Sequence, residues 1–220
     1  MNEEIHIKNK DRYKLDSIKS YNRYQERYDE IFWMKVFSVE KWDESVLDEL
    51  QNDIAELHIL DIGCATGRLL EKFAKAGAAN LYGTDIAVKM LKVVEQRLEE
   101  YDLRFELKAA DVETQLPWTD ELFDVVTLTG AIHHLYSPDD ALREIYRVLK
   151  REGRLIVLEP RFIVVYRQLL NLYLRIFMHD GDYKFYSPRS LAKLVCNSGF
   201  KVEKSDVKVG WLAYKAIFRK

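Results

Sequence analysis

Three aspartates each stand at the end of an apolar run: Asp61 in LHILDI, Asp85 in NLYGTD and Asp111 in RFELKAAD. The first opens into a turn, GCATG, and two histidines, His133 and His134, follow a fourth run, FDVVTLT. Carboxylates in such places accept hydroxyls or hold cations, glycines let backbone come close to a ligand, and imidazole can take a proton near neutrality. The set suits a nucleotide-like ligand, and the sequence bears on its charge. A dinucleotide turn needs glycine at 63, 65 and 68, where this chain has Gly63, Ala65 and Arg68. Asp85 does lie about 20 residues past Gly63, as a ribose-binding acid would. A pyrophosphate, however, would meet Asp61 beside its own cradle, an unfavourable pairing of like charges. A ligand without phosphates and with a positive charge fits this rim better.

Short apolar runs of this kind, with RLIVLE as a fifth, read as strands buried on both faces of a parallel sheet. Helical patterns lie between them. Val88, Leu91, Val94, Leu98 and Tyr101 make one apolar stripe. In SPDDALREIYRVLKREG, Ser137 can cap, Pro138 suits the first helical position, Lys150 and Arg151 suit the last turn, and Gly153 can close the helix. Alternating βα units predict an α/β, doubly wound sheet, whose ligands sit outside the carboxyl ends of the strands. The three aspartates would then share one rim. The pattern divides the chain into a helical cap over 1–56, a core over 57–160, an apolar lid insert over 161–188, and a helix with two strands around Gly210 over 189–220. In the cap, Tyr21, Tyr24, Tyr28 and Ile31 fall on one helical face and either pack or line an acceptor site. In the insert, Val165, Leu169, Leu172 and Ile176 form a stripe, and Phe162, Leu170, Tyr173 and Phe177 extend the apolar surface beyond it. A helix apolar nearly all round is expected to be buried on more than one side. It would be a wall of an acceptor pocket, a homodimer contact, or a helix packed on the cap.

Several stretches together resemble the class I S-adenosylmethionine-dependent methyltransferases: LDIGCATGRLL, LYGTDIAVKML, AADVETQLPWTDELFDVVTLTGAIHHL and ALREIYRVLKREGRLIVLEP. The closing GFKVEKSDVKVGWLAYKAIFRK adds a similarity to the quinone-biosynthesis C-methyltransferases. The resemblance implies a Rossmann-like, mostly parallel seven-stranded sheet and S-adenosyl-L-methionine as cofactor, released as S-adenosyl-L-homocysteine. It implies Asp61, Gly63, Ala65 and Gly67 around the methionine portion, Asp85 and Ile86 at the ribose, Asp111 and Val112 at the adenine, and Thr129 and Gly130 offering carbonyls to the ammonium. Gly63 and Gly67 would keep ligand volume free of a Cβ, whereas Ala65 stands where the family's middle glycine would be, narrowing the pocket by a methyl. His133 and His134 fall in the acceptor-facing loop as candidate catalytic groups, and Tyr24, Tyr28, His133 and Tyr173 as acceptor contacts. A small-molecule acceptor is the expected partner, with a lipophilic phenol as one specific candidate. A cofactor-binding regulatory subunit is the alternative, with a nucleic-acid or protein methyltransferase behind it.

Composition narrows the partners. The 34 basic and 36 acidic side chains nearly cancel and are interspersed, so overall attraction to nucleic acid or an anionic surface is not expected. The basic residues of the last forty, Lys201, Lys204, Lys208 and Lys215 among them, read as a solvated face. Two cysteines, Cys64 and Cys196, predict a reducing compartment and no metal site. Cys64 reads as a small buried residue rather than a nucleophile. No run approaches the roughly 18 apolar residues of a membrane span, and the first residues lack a signal-peptide core, so a cytoplasmic location is expected.

Overall fold

The computed structural model describes residues 2–30, 32–50, 54–177 and 182–220. The amino-terminal part is helical: α1 (Asn2–Tyr24), a 3-10 turn over Gln25–Glu30, α2 (Phe32–Val36) and α3 (Val39–Leu47). Then β1 (His58–Ile62), β2 (Asn80–Asp85), β3 (Arg104–Ala109), β4 (Phe123–Thr129) and β5 (Leu149–Pro160) follow, with α4 (Arg68–Lys75) and α5 (Val88–Leu98) after the first two and α6 (Pro138–Val148) before the last. The chain ends in α7 (Val164–Phe177), α8 (Pro188–Asn197), β6 (Lys201–Val209) and β7 (Ala213–Arg219).

The seven strands form one sheet in the order β3-β2-β1-β4-β5-β7-β6, parallel through β5, with β7 antiparallel to both β5 and β6. Side chains alternate across each strand, so successive apolar residues feed two cores. Leu60, Val126 and Leu155 face the side covered by α6 and α8, and Ile59, Val125 and Ile156 face α3, α4 and α5. This is why the central runs are apolar without interruption. The edge strands β3 and β6 depart from that expectation, because each has a neighbour on one side only and leaves most residues partly or fully exposed. The lysines of β6 keep that edge in water. Lys215 is the exception to the solvated basic face: it is buried in β7 and donates to the Ser45 carbonyl at 2.6 Å, with Glu49 at 2.7 Å.

Three local expectations are corrected. Helix α6 stops at Val148, and Lys150, Arg151 and Gly153 belong to β5, because the segment already pairs Leu149 with Phe123. Ser137 occupies the cap position, yet its side chain makes no cap bond; its N–H and that of Tyr136 donate to Glu113 instead. Val88 is exposed, and the buried stripe of α5 runs through Met90, Leu91, Val94 and Leu98.

The chain leaves β1 toward β3 and returns on the other side through β4, so β1 and β4 flank the switch point where such sheets bind ligands. Asp61, at the end of β1, faces that crevice.

Candidate active site

A cavity of about 530 Å³ opens at the carboxyl ends of β1, β2 and β4, inside the roughly 300–1,000 Å³ of small-molecule sites. Asp61, Gly63, Ala65, Asp85, Ile86, Asp111, Val112, Thr129 and Gly130 all line it, as do His133, His134 and Tyr28. Gly67 sits just behind the wall. A Cβ there would fall 2.7 Å from Val94 on α5, with φ at 77°, so close packing and left-handed backbone, rather than ligand volume, require this glycine. Gly63 likewise has φ at 67°, and its Cβ would press on Ala131.

Ala65 holds φ at 47° without being glycine. Its N–H donates to Asp85 Oδ2 at 3.0 Å, and that contact fixes the turn. Left-handed backbone costs a Cβ-bearing residue about 1–2 kcal/mol. Ala65→Gly is therefore expected to raise stability by roughly 0.5 kcal/mol, once the added freedom of the unfolded chain is subtracted. Gly67→Ala is expected to cost about 2 kcal/mol or more by strain and overpacking. Urea unfolding of the two variants measures both.

The acids differ in their surroundings. Asp61 is 2 % exposed and accepts from Thr127 Oγ1 at 2.6 Å; burial pushes its carboxyl up to about 7. Asp85 accepts from the Ala65 and Ala87 N–H groups, and burial again raises it. Each oxygen keeps a lone pair for a further donor. Asp111 accepts from the Glu113 N–H at 3.0 Å and pairs with Lys14 on α1, while Lys10 and Lys14 both reach Glu113. Helix α1 is thus clasped over the β3 end of the cavity. Arg68, at the start of α4, pairs with the buried Asp43 of α3 and ties the cap to the glycine turn.

The opposite side of the cavity is built around His133. Its Nδ1 lies 2.8 Å from Glu159 Oε2 at the end of β5, and both groups are buried. Burial works against charge on this ring, and the Glu159 carboxylate outweighs it, so His133 is held above its ordinary value. With the Nδ1 proton donated to Glu159, the second ring nitrogen, Nε2, lies 3.6 Å from Asp182 Oδ1. His134 is engaged differently: its Nδ1 is 3.1 Å from Asp182 and 3.2 Å from the Tyr21 hydroxyl, and its carbonyl accepts from Tyr13. The pairing with His134 holds Asp182 down at about 2 despite its burial. Donor atoms of His133, His134 and Asp182 lie within 4.8 Å of one another, a spacing these ion pairs account for.

Phe162, Tyr166, Leu170 and Phe185 complete an apolar wall. Tyr173 does not belong to it: the cavity is reached from α7 by Tyr166 and Leu170, with Leu174 buried one turn further on. The expected stripe of Val165, Leu169, Leu172 and Ile176 is the outer face, so α7 is not buried on more than one side. The tyrosine face of the cap is broken as well, since α1 ends at Tyr24 and the chain continues as the 3-10 turn. Tyr21 and Tyr28 nonetheless meet edge to face, with ring centres 6.5 Å apart. The side chains of Tyr24 and Phe177, and Ile31, lie outside the described residues. Cys64 is buried and its thiol is raised well above its ordinary value, as expected of a packing residue.

Sequence reasoning did not single out Glu159, Asp182, Lys14, Asp43 or Arg68. Glu159 carried a readable signal, since an acid closing an otherwise apolar strand must find a partner once buried. The residues present fit S-adenosylmethionine. Acids rather than phosphate-binding groups ring the strand ends, and the indole N–H of Trp42, a cavity residue, is buried with no hydrogen-bond partner.

Residues 60–157 match the methyltransferase domain family. A demethylmenaquinone methyltransferase of Lactobacillus johnsonii is 35% identical over 103 residues, covering 46% of this chain and 42% of that one. One from Thermotoga maritima is 28% identical over 213 residues, covering 86% and 90%. The first of these alignments thus spans less than half of the relative's own length. Among solved structures, the magnesium protoporphyrin IX methyltransferase of Synechocystis, with bound S-adenosylhomocysteine, superposes with a TM-score of 0.67 at 20% identity over 86% of this chain and 88% of that one. The [4+2]-cyclase SpnF does so with 0.66 at 19% over 82% and 80%. Residues 60–157, which hold the strand-end motifs, thus match a methyltransferase domain, and the sheet has the fold of these solved structures.

Proposed function

We propose that the chain methylates a lipophilic small molecule carrying an acidic hydroxyl, a phenol or hydroquinone. The observation that carries this reading is the buried His133–Glu159 pair, 2.8 Å apart, beside a cavity wall of Phe162, Tyr166 and Leu170. When bound, S-adenosylmethionine supplies an electrophilic methyl on a sulfonium, which departs as the neutral thioether. Asp85 would accept the ribose hydroxyls, Asp61 and the Thr129 and Gly130 carbonyls would hold the ammonium, and Asp111 would hold the adenine. The apolar wall orients the acceptor and excludes water, so that alignment and desolvation act together. His133 Nε2 takes the hydroxyl proton, and the electron pair released on the acceptor forms the new bond to carbon. Glu159 holds the ring in the required tautomer and balances its charge. Tyr28 contributes a neutral hydroxyl, since burial pushes it up to about 12. His134 is a positioning residue that joins the loop to α1 and Asp182.

The relatives named for demethylmenaquinone support an acceptor of this class. The test is to incubate the protein with labelled methyl donor and a panel of phenols and hydroquinones of increasing chain length. Label transfer that rises with lipophilicity supports the reading. Donor binding without transfer to any member would favour a cofactor-binding subunit.

A further inference from the structure

S-adenosylmethionine carries its ammonium and a carboxylate on one carbon. With the ammonium at Asp61, the carboxylate must lie beside that acid. Six described acids line the cavity: Asp29, Asp61, Asp85, Asp111, Glu113 and Asp182. A carboxylate brought among them without a cation of its own would meet like charge in a buried place. Among the described residues, the lysine and arginine side chains that line the cavity are Lys14 and Arg68. Lys14 is held at the β3 end by Asp111 and Glu113. Arg68 directly follows the glycine turn after β1, and its positive charge acts on both Asp61 and Tyr28.

Arg68 occupies the first position of α4, where a cation opposes the helix macrodipole, so the helix carries it against local preference. Asp43 of α3 accepts from Nη1; this carboxylate is buried and is not part of the cavity lining. A guanidinium presents a planar fork of N–H donors. Among the described contacts of Arg68, Nη1 alone is engaged, and the side chain keeps 26 % of its surface open. The remaining donors suit a carboxylate, which such a fork binds through two hydrogen bonds side by side.

We propose that Arg68, positioned by Asp43, holds the carboxylate of S-adenosylmethionine and makes the site selective for ligands that keep this group. Asp61 and Arg68 then read the two charges of the amino-acid end as a pair. Asp43 keeps the guanidinium in place before the ligand arrives, which lowers the cost of ordering it. The inference rests on the proposed placement of the ammonium at Asp61 and is independent of the acceptor.

The experiment is calorimetry of the full chain with S-adenosylmethionine and with its decarboxylated form, which keeps the sulfonium, ribose, adenine and amine. Wild type is expected to bind the intact cofactor at least about ten-fold more tightly, the usual weight of a hydrogen bond to a charged group. Arg68→Gln should lose that preference: the intact cofactor binds more weakly, whereas the decarboxylated one, a pure cation, binds no less tightly. Arg68→Lys, which keeps the charge and not the fork, should fall between. Asp43→Asn should lower the preference by less than Arg68→Gln does. An Arg68 that only ties the cap to the turn would weaken both ligands alike on substitution, and that result would overturn the proposal. Equal affinities of the two ligands for wild type would overturn it as well, without recourse to a variant that has to fold. If neither ligand binds wild type, the placement of the ammonium at Asp61 falls, and this proposal with it.

Discussion

His133→Ala is expected to lower kcat by about two orders of magnitude or more, the usual contribution of a positioned base, with cofactor affinity unchanged by calorimetry. The loss should shrink for acceptors that are already ionised, and an equal loss for all acceptors would point to collapse of the loop. The pH profile carries more. Because His133 is held above its ordinary value, the free base appears only as pH rises past that raised value, and kcat should climb with it. Glu159→Gln removes the larger of the two charges that lift the ring and leaves Asp182 against the burial that depresses it. Its rising limb should move to lower pH while the maximal rate falls, since the amide no longer balances the imidazolium. A merely structural Glu159 would lower the rate without moving the limb.

Cofactor affinity should depend on pH through Asp61. Its carboxyl, raised to about 7 by burial, is largely protonated at pH 6 in the free protein. A ligand bearing an ammonium favours the ionised form, so affinity should fall about ten-fold per pH unit below 7 and level off above it. Asp61→Asn should bind more weakly at pH 8 and lose most of this slope. Calorimetry at pH 5.5, 6.5 and 8 on both proteins decides it, and parallel curves would remove the assignment. Folding without ligand runs the opposite way. The native carboxyl retains its proton from the ordinary carboxylate range up to about 7 while the unfolded one has lost it, so Asp61 makes the free protein less stable as pH rises through that window. Bound cofactor should reverse the trend.

Asp61, Asp85 and Asp111 were legible in the sequence because each ends an apolar run, and period-two burial on both faces leaves such runs few alternatives. The glycine turn was legible as a turn, but the reason for Gly67 was not, because Val94 comes against it only when α5 packs on α4. Glu159 was passed over although it is an isolated charge in an apolar strand; its pairing with His133 follows from β4 and β5 lying side by side, which only the sheet order reveals. Lys10 and Lys14 could not be matched to Asp111 and Glu113, since nothing local tells which face of α1 docks. Helix α7 was apolar nearly all round, and its narrow polar stripe of Arg167, Gln168, Asn171 and Arg175 leaves two apolar faces beside it, so its periodicity could not distinguish inside from outside. The end of α6 was misplaced for a related reason. Lys150 and Gly153 are good terminators in isolation, and pairing with β4 claimed the segment first.

The clasp of α1 over Asp111 has a thermodynamic corollary. Lys14 and an adenine would share one carboxylate, so the seating of the first helix and the occupancy of the cavity are linked functions. Reciprocity then requires that whatever factor the clasp contributes to cofactor affinity is returned, undiminished, by the cofactor to the closure of the helix. The factor by which bound cofactor raises the protection of α1 amides from exchange must therefore equal the factor by which closure of the helix tightens the cofactor, and removing Lys14 should shrink both together.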